Sequence, residues 1–195
     1  MSLAPDHLRI LLVPGGGGSG PDHWHSHWEA LDPRVERVVQ RDWEAGTRED
    51  WVATLDRFLQ DDARPTIVVP HSLGCLTVAE WAARDGGASG APIVGALMVG
   101  PADVDADWAD TAEERGPLYR SFRPVPMQDL PFPSLLVAST DDPLLSLARA
   151  QALAEAWGSE LHTVGALQHI GSESLLGDWP QGRALLQLLI ARVAA

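Results

Sequence analysis

A single cysteine, Cys75, stands in a chain of 195 residues. No internal disulfide can staple this fold, so its stability must come from burial. Basic residues are also scarce: 14 Lys and Arg against 27 Asp and Glu leave a formal net charge of −13. A surface of that sign repels phosphate backbones and anionic lipids at long range, which argues against nucleic-acid and membrane partners. Long hydrophobic runs are missing. A stretch such as residues 185–190 is interrupted by Gln187 and falls far short of the roughly 20 apolar residues of a membrane span. The first residues show neither the basic start nor the apolar run of about 7 to 15 residues that marks a signal peptide, so the expected compartment is the cytoplasm. No internal repeat is visible, and nothing in the composition fixes an oligomeric state. What is present, 45% hydrophobic and 21% charged residues, is the balance of a soluble globular protein, and the length predicts one domain over residues 1–195.

Short β-branched or leucine-rich runs recur at residues 8–13, 34–39, 66–69, 93–99, 134–138 and 160–164. Several are near-continuous apolar tracts, as strands covered on both faces are. Between them, residues 22–31, 49–59, 73–84, 146–157 and 178–193 carry apolar side chains at three- and four-residue spacing, the pattern of covering helices. The alternation predicts an α/β fold with a mostly parallel sheet of about six strands and helices on both faces. Residues 100–133 break the rhythm with six prolines and five aspartates. A stretch of that length is expected to be a lid or pocket wall, or else a surface excursion with one short helix near residues 109–115.

Chemistry concentrates at Thr66-Ile67-Val68-Val69-Pro70-His71-Ser72-Leu73-Gly74, where an apolar strand runs directly into a serine and then a helix. This is the pattern of a nucleophile elbow, with Pro70 in place of the first glycine of G-x-S-x-G. A serine on so tight a turn projects its Oγ above the sheet edge, and the N–H of Leu73 becomes a donor for an oxyanion. The plainer reading makes Ser72 a helix N-cap. An elbow demands an acid and then a histidine, each just past a later strand. Asp141 and Asp142 follow the strand at 134–138, and His169 follows the strand at 160–164. In a parallel sheet these strand ends share one edge, so Ser72, Asp142 and His169 are expected to converge. Asp142 is preferred to Asp141 because the following Pro143 holds its backbone extended, and Asp103 is the reserve acid. His71 is expected to point away from the elbow, and His162 to be structural.

The second oxyanion donor is expected in the glycine-rich loop after the first strand, at the N–H of Gly16 with Gly15 and Gly17 as alternatives, since glycine lets backbone approach a substrate closely. Gly15, Gly17, His23 and Trp24 are the expected pocket residues. The same loop matches G-x-G-x-x-G through Gly15, Gly17 and Gly20, with Asp42 as a ribose-binding acid. Pro21 interrupts the helix start that such a site requires, and no Gly-Lys-Ser/Thr follows to make a P-loop, so no nucleotide cofactor is expected. His23, His25 and His27 invite a metal reading, but no third and fourth ligands accompany the i, i+4 pair; the polar face of a helix is the expected home of these histidines and no metal is expected.

The segments Ser19-Gly20-Pro21-Asp22-His23-Trp24, Pro70-His71-Ser72-Leu73-Gly74-Cys75, Ala138-Ser139-Thr140-Asp141-Asp142-Pro143, and Gln168-His169-Ile170 through Gly177-Asp178-Trp179-Pro180 together resemble the small serine hydrolases related to YdeN and to the retinoblastoma-binding hydrolase. That resemblance implies a compact α/β-hydrolase fold with little or no cap domain, a Ser72-Asp142-His169 triad, and no cofactor. The expected function is hydrolysis of a small-molecule acyl substrate, an ester first and a thioester or amide as alternatives, through an acyl-enzyme on Ser72. The competing expectation is a non-catalytic binding protein that retains the fold and docks partners on residues 100–133.

Overall fold

The computed structural model describes residues 3–85 and 93–194. Six strands, β1 (Arg9–Val13), β2 (Glu36–Arg37), β3 (Thr66–Pro70), β4 (Ile93–Val99), β5 (Ser134–Ala138) and β6 (Glu160–Thr163), form one sheet. It runs in the order β2-β1-β3-β4-β5-β6, and every pairing is parallel. The helices are α1 (Trp24–Leu31), α2 (Arg48–Gln60), α3 (Leu73–Asp85), α4 (Trp108–Thr111), α5 (Gly116–Ser121), α6 (Leu147–Trp157) and α7 (Pro180–Val193).

Side chains alternate across a strand, and here both sets are apolar. Ile10, Leu12, Ile67, Val69, Leu97, Val99, Leu135 and Val137 join α1 and α7 in one core. Leu11, Val13, Val68, Ala96, Met98, Leu136 and Ala138 join α2, α3 and α6 in the other. The result is a three-layer α/β-hydrolase fold.

Local chemistry sets the helix ends. Thr47 and Asp50 form a reciprocal capping box at the start of α2, Ser146 caps α6, and Gly158 ends α6 at φ 62°. The expected starts at residues 22 and 178 move inward, because His23 is the N-cap of α1 and Pro180, which has no N–H to donate, opens the first turn of α7. The strand expected over 34–39 is reduced to Glu36–Arg37, since β2 has β1 as its single neighbour and Val39 already faces solvent. The one helix expected near 109–115 is two: α4 ends at Thr111, and α5 begins at Gly116 with Pro117 in its first turn. Residues 100–133 are neither a free lid nor a surface excursion. Val104, Leu118, Phe122 and Val125 are buried in the same core as α2 and α3, which anchors the segment as a wall. No helix among the described residues is long and apolar enough to cross a membrane.

The order of the strands creates the site. From β1 the chain moves outward to β2, then returns across β1 to β3 and continues the other way. The loops that leave β1 and β3 therefore diverge, and a crevice opens between their carboxyl ends.

Candidate active site

The turn between β3 and α3 carries Ser72 at φ 57°, a left-handed conformation that a non-glycine residue holds only when its surroundings impose it. Sheet backbone supplies the constraint. His71 N–H donates to Val13 O, Ser72 N–H to Val99 O and Gly74 N–H to His71 O, at 3.0, 3.0 and 2.9 Å. Pro70 pairs with Val13 as the last residue of β3, so the elbow closes with proline at that position. Gly74 permits the close approach: a Cβ there would lie 2.0 Å from Val13 O. Gly15 is pressed onto the elbow from the other side, where a Cβ would lie 2.6 Å from that of Ser72. Cys75 is buried beneath the turn, and burial pushes its thiol well above the usual range.

Three side chains meet above this turn. Ser72 Oγ lies 2.8 Å from His169 Nε2, and His169 Nδ1 lies 3.0 and 2.9 Å from the two carboxylate oxygens of Asp142. The Asp142 side chain has no exposure to solvent, and its Oδ1 also accepts the N–H of Leu144 at 2.8 Å. Its neighbour is used differently: Asp141 accepts the Ser139 hydroxyl and the Gln168 N–H, both at 2.7 Å. Those bonds hold its carboxyl below the usual carboxylate range. Asp103 pairs with Arg149, and the structure does not bring it to His169.

The amides at Leu73, Gly15 and Gly16 have no acceptor among the described residues, whereas those of Ser72, Gly74, Gly17 and Gly18 are each bonded to a carbonyl, which removes Gly17 but not Gly15 as an alternative to Gly16. Gly15, Gly16, Gly18, His23, His71, Ser72 and His169 border a cleft of about 260 Å³, which Arg115, Tyr119, Leu144, Gly171, Ser172 and Glu173 complete. Two expected pocket residues are absent from that lining. Gly17 is the exposed apex of its turn at φ 78°, with its N–H on Trp43 O. Trp24 is wholly buried and donates its indole N–H to Ile170 O at 2.9 Å. One residue along a helix rotates the side chain by about 100°, so His23 faces the cleft while Trp24 turns beneath it.

The histidines correct two further expectations. His71 borders the cleft instead of pointing away from it. His23 and His25 are buried rather than set on a polar helix face. His23 caps α1 by accepting the N–H of His25, and His25 Nδ1 pairs with the Ser19 hydroxyl at 3.0 Å. Burial, then Arg37 and His169, lowers His23 to about 3. Burial also holds His25 and His71 well below the ordinary imidazole range. All three rings are therefore neutral near pH 7. Among the described residues no cluster of three His, Cys, Asp or Glu side chains has the placement of a metal site. His162, in β6, pairs with Glu160. Sequence reasoning missed Arg115, Tyr119, Leu144, Ser172 and Glu173; the single signal for the first two was their place in the proline-rich stretch.

Residues 10–188 match a protein family described as serine hydrolase. A YdeN-like hydrolase from Pectobacterium atrosepticum is 33% identical, with 95% of this chain and 92% of that one aligned at a TM-score of 0.80. The ydeN product of B. subtilis is 16% identical over 94% and 98% of the two chains, at a TM-score of 0.70. Est1E of Butyrivibrio proteoclasticus, solved with ferulic acid bound, is 15% identical over 97% and 91%, at 0.69. At such identities the last two share the fold alone. Among curated proteins none matches the chain.

Proposed function

The chain belongs to the serine hydrolase family, and from that premise we propose that it hydrolyses small esters through an acyl-enzyme on Ser72. The observation that carries this reading is the unbroken chain Ser72 Oγ, His169 Nε2, His169 Nδ1, Asp142 carboxylate, with every contact at 3.0 Å or less. Asp142 can only accept from Nδ1–H, which leaves Nε2 as the base facing the hydroxyl.

In the first half-reaction Ser72 Oγ attacks the carbonyl carbon while its proton passes to His169 Nε2. The tetrahedral oxyanion is held by the N–H groups of Leu73 and Gly16. The imidazolium, stabilised by Asp142, then returns the proton to the departing alkoxide and leaves the acyl group on Ser72. A water deprotonated by the same nitrogen attacks the acyl-enzyme, and collapse releases the acid and restores Ser72. A cleft of about 260 Å³ with one aliphatic side chain, Leu144, in its lining suits short acyl groups better than long alkyl chains. A docking role for residues 100–133 finds little support, because Leu118, Phe122, Val125, Leu130 and Phe132 are buried in the core and Trp108 and Tyr119 pack against it, leaving Met127 as the exposed large apolar side chain of the segment.

A fluorophosphonate probe tests the assignment. Wild type is expected to be modified once, at Ser72, while Ser72→Ala is silent and His169→Ala reacts at a negligible rate. Equal modification of all three overturns it. On p-nitrophenyl esters of graded length, kcat/KM should peak at two to four carbons, on the order of what the cleft admits.

A further inference from the structure

His71 adjoins Ser72 in the chain, yet its bonds go elsewhere. Its Nε2 lies 2.8 Å from the carbonyl oxygen of His169. A carbonyl only accepts, so Nε2 carries the hydrogen and Nδ1 must be an acceptor. Opposite Nδ1, at 3.3 Å, is Nε2 of His23. The other nitrogen of His23 accepts the backbone N–H of His25 at 3.1 Å, which makes Nε2 its protonated nitrogen. Hydrogens assigned from the two ends agree, and one arrangement satisfies the whole run: His25 N–H to His23, His23 to His71, His71 to the carbonyl of His169. Burial keeps both rings neutral, as this arrangement requires.

What the run grips is a tight turn with a single backbone bond across it, Ile170 N–H to Leu167 O at 2.9 Å. His169 lies between Gln168 at φ 49° and Ile170 at φ 53°, so the residues on both sides occupy a conformation that non-glycine residues avoid. The neighbours are tied by Asp141, on the Gln168 N–H, and by Trp24, on the Ile170 carbonyl. His71 is the side chain on the carbonyl of residue 169 itself. An apolar side chain of similar size would fill the space but leave that carbonyl without its donor.

We propose that His71, oriented by His23, is a positioning residue that fixes the backbone of His169 so that its Nε2 stays within reach of Ser72 Oγ. The proposal rests on the reading of Ser72 as nucleophile and His169 as base. It assigns the start of α1 a part in the reaction: His23 caps a helix and sets the tautomer of the residue beside the nucleophile.

Three variants test it. His71→Leu removes the donor, and kcat is expected to fall by about 10- to 100-fold, the size of loss that follows when the hydrogen-bond partner orienting a metal-bound histidine is removed or a reacting group is displaced by about 1 Å. KM should change by less than about twofold, and fluorophosphonate labelling should slow by the same factor as kcat. His71→Gln places an amide N–H near the former Nε2 and should recover kcat to within about fivefold of wild type. His23→Asn keeps an acceptor for the His25 N–H but ends short of His71. It should cost about three- to tenfold in kcat, and nitrogen NMR should show that His71 no longer occupies the Nε2–H tautomer alone. A wild-type kcat in His71→Leu, equal losses in the Leu and Gln variants, or an Nδ1–H tautomer of His71 in the wild-type protein overturns the proposal. If His71→Leu does not fold, His23→Asn and the wild-type tautomer decide the matter: unchanged kcat with an unchanged tautomer refutes it. Labelling of Ser72→Ala, by contrast, would refute the underlying assignment of the nucleophile.

Discussion

The turn after β3 and the loop after β6 each supply one partner of the 2.8 Å contact between Ser72 and His169, and they are held in place by different means. In the turn, the backbone is restrained chiefly by the sheet and its immediate packing: Val13 O, Val99 O, and the narrow gap in which Gly74 meets β1. Residues 164–179 touch sheet backbone only at their start, where Val164 N–H donates to Ala138 O and Gly165 O accepts Thr140 N–H; beyond that point their backbone bonds are short turns such as Ile170 N–H to Leu167 O. They include Gln168, Ile170, Leu175 and Trp179, all left-handed, and their shape is imposed by side chains from distant parts of the chain. The Ser139 hydroxyl accepts the Leu167 N–H, Asp141 accepts that of Gln168, His71 binds the carbonyl of residue 169, and Trp24 that of residue 170. On the proposed reading of Ser72 as nucleophile and His169 as base, the sheet-set turn should fail mainly with the fold and the side-chain-set loop mainly with activity.

The sharpest test of the side-chain half is Asp142→Asn. Replacing the acceptor of Nδ1–H inverts the tautomer demanded of His169, and kcat should fall by about 10⁴-fold in a fold of nearly unchanged stability, while Asp141→Asn should cost no more than about tenfold. Steady-state kinetics beside urea melts distinguish the two, and equal losses would blur the division between the aspartates. The backbone half breaks at Gly74. In Gly74→Ala a methyl 2.0 Å from Val13 O forces β1 and α3 apart, for a loss of about 3 kcal/mol in unfolding free energy, read from the urea midpoint.

Acid probes the buried histidines next. His23 sits at about 3 in the fold against an unfolded value near 6.5. Falling pH therefore protonates the unfolded chain first, and stability drains away between about pH 6.5 and 3. For His23 the loss between pH 7 and pH 5 is about 2 kcal/mol, with His25 and His71 acting in the same sense. The urea midpoint of wild type should drop over that interval, and that of His23→Asn should drop by less. The smallest expected effect is that of Trp24→Phe, which keeps a ring in the core but removes the N–H on Ile170 O. A loss of about 1 kcal/mol with a measurable fall in kcat would place this contact among the loop's supports; an unchanged kcat would narrow those supports to Ser139, Asp141 and His71.

The legibility of the protein follows the same division. β5 was readable to the residue and α3 nearly so, because apolar runs and three-to-four spacing report directly on burial. β2 was overread, since its apolar content says nothing of its place at the edge. Ser72, Asp142 and His169 could be singled out because each follows a strand, and parallel strands bring their ends to one edge. Gly17 and Trp24 were misplaced: the sequence shows that a glycine turn precedes a helix, but not which residue faces the cleft once His23 has become the cap. His71 was turned the wrong way because its partners, His23 and the carbonyl of residue 169, lie 48 and 98 positions away.

Alternation of strand and helix, the serine at the end of a strand, and the chain order of acid and histidine are local properties of the amino-acid string, and they determined the layered architecture and the edge where chemistry can occur. Which aspartate meets the imidazole, which amides stay free, and how the two neutral rings of His23 and His71 share their hydrogens were decided by the tertiary structure alone. The reason is physical: apolar periodicity reports how each segment is buried, whereas a hydrogen bond depends on a few tenths of an ångström between groups that only the completed fold brings together.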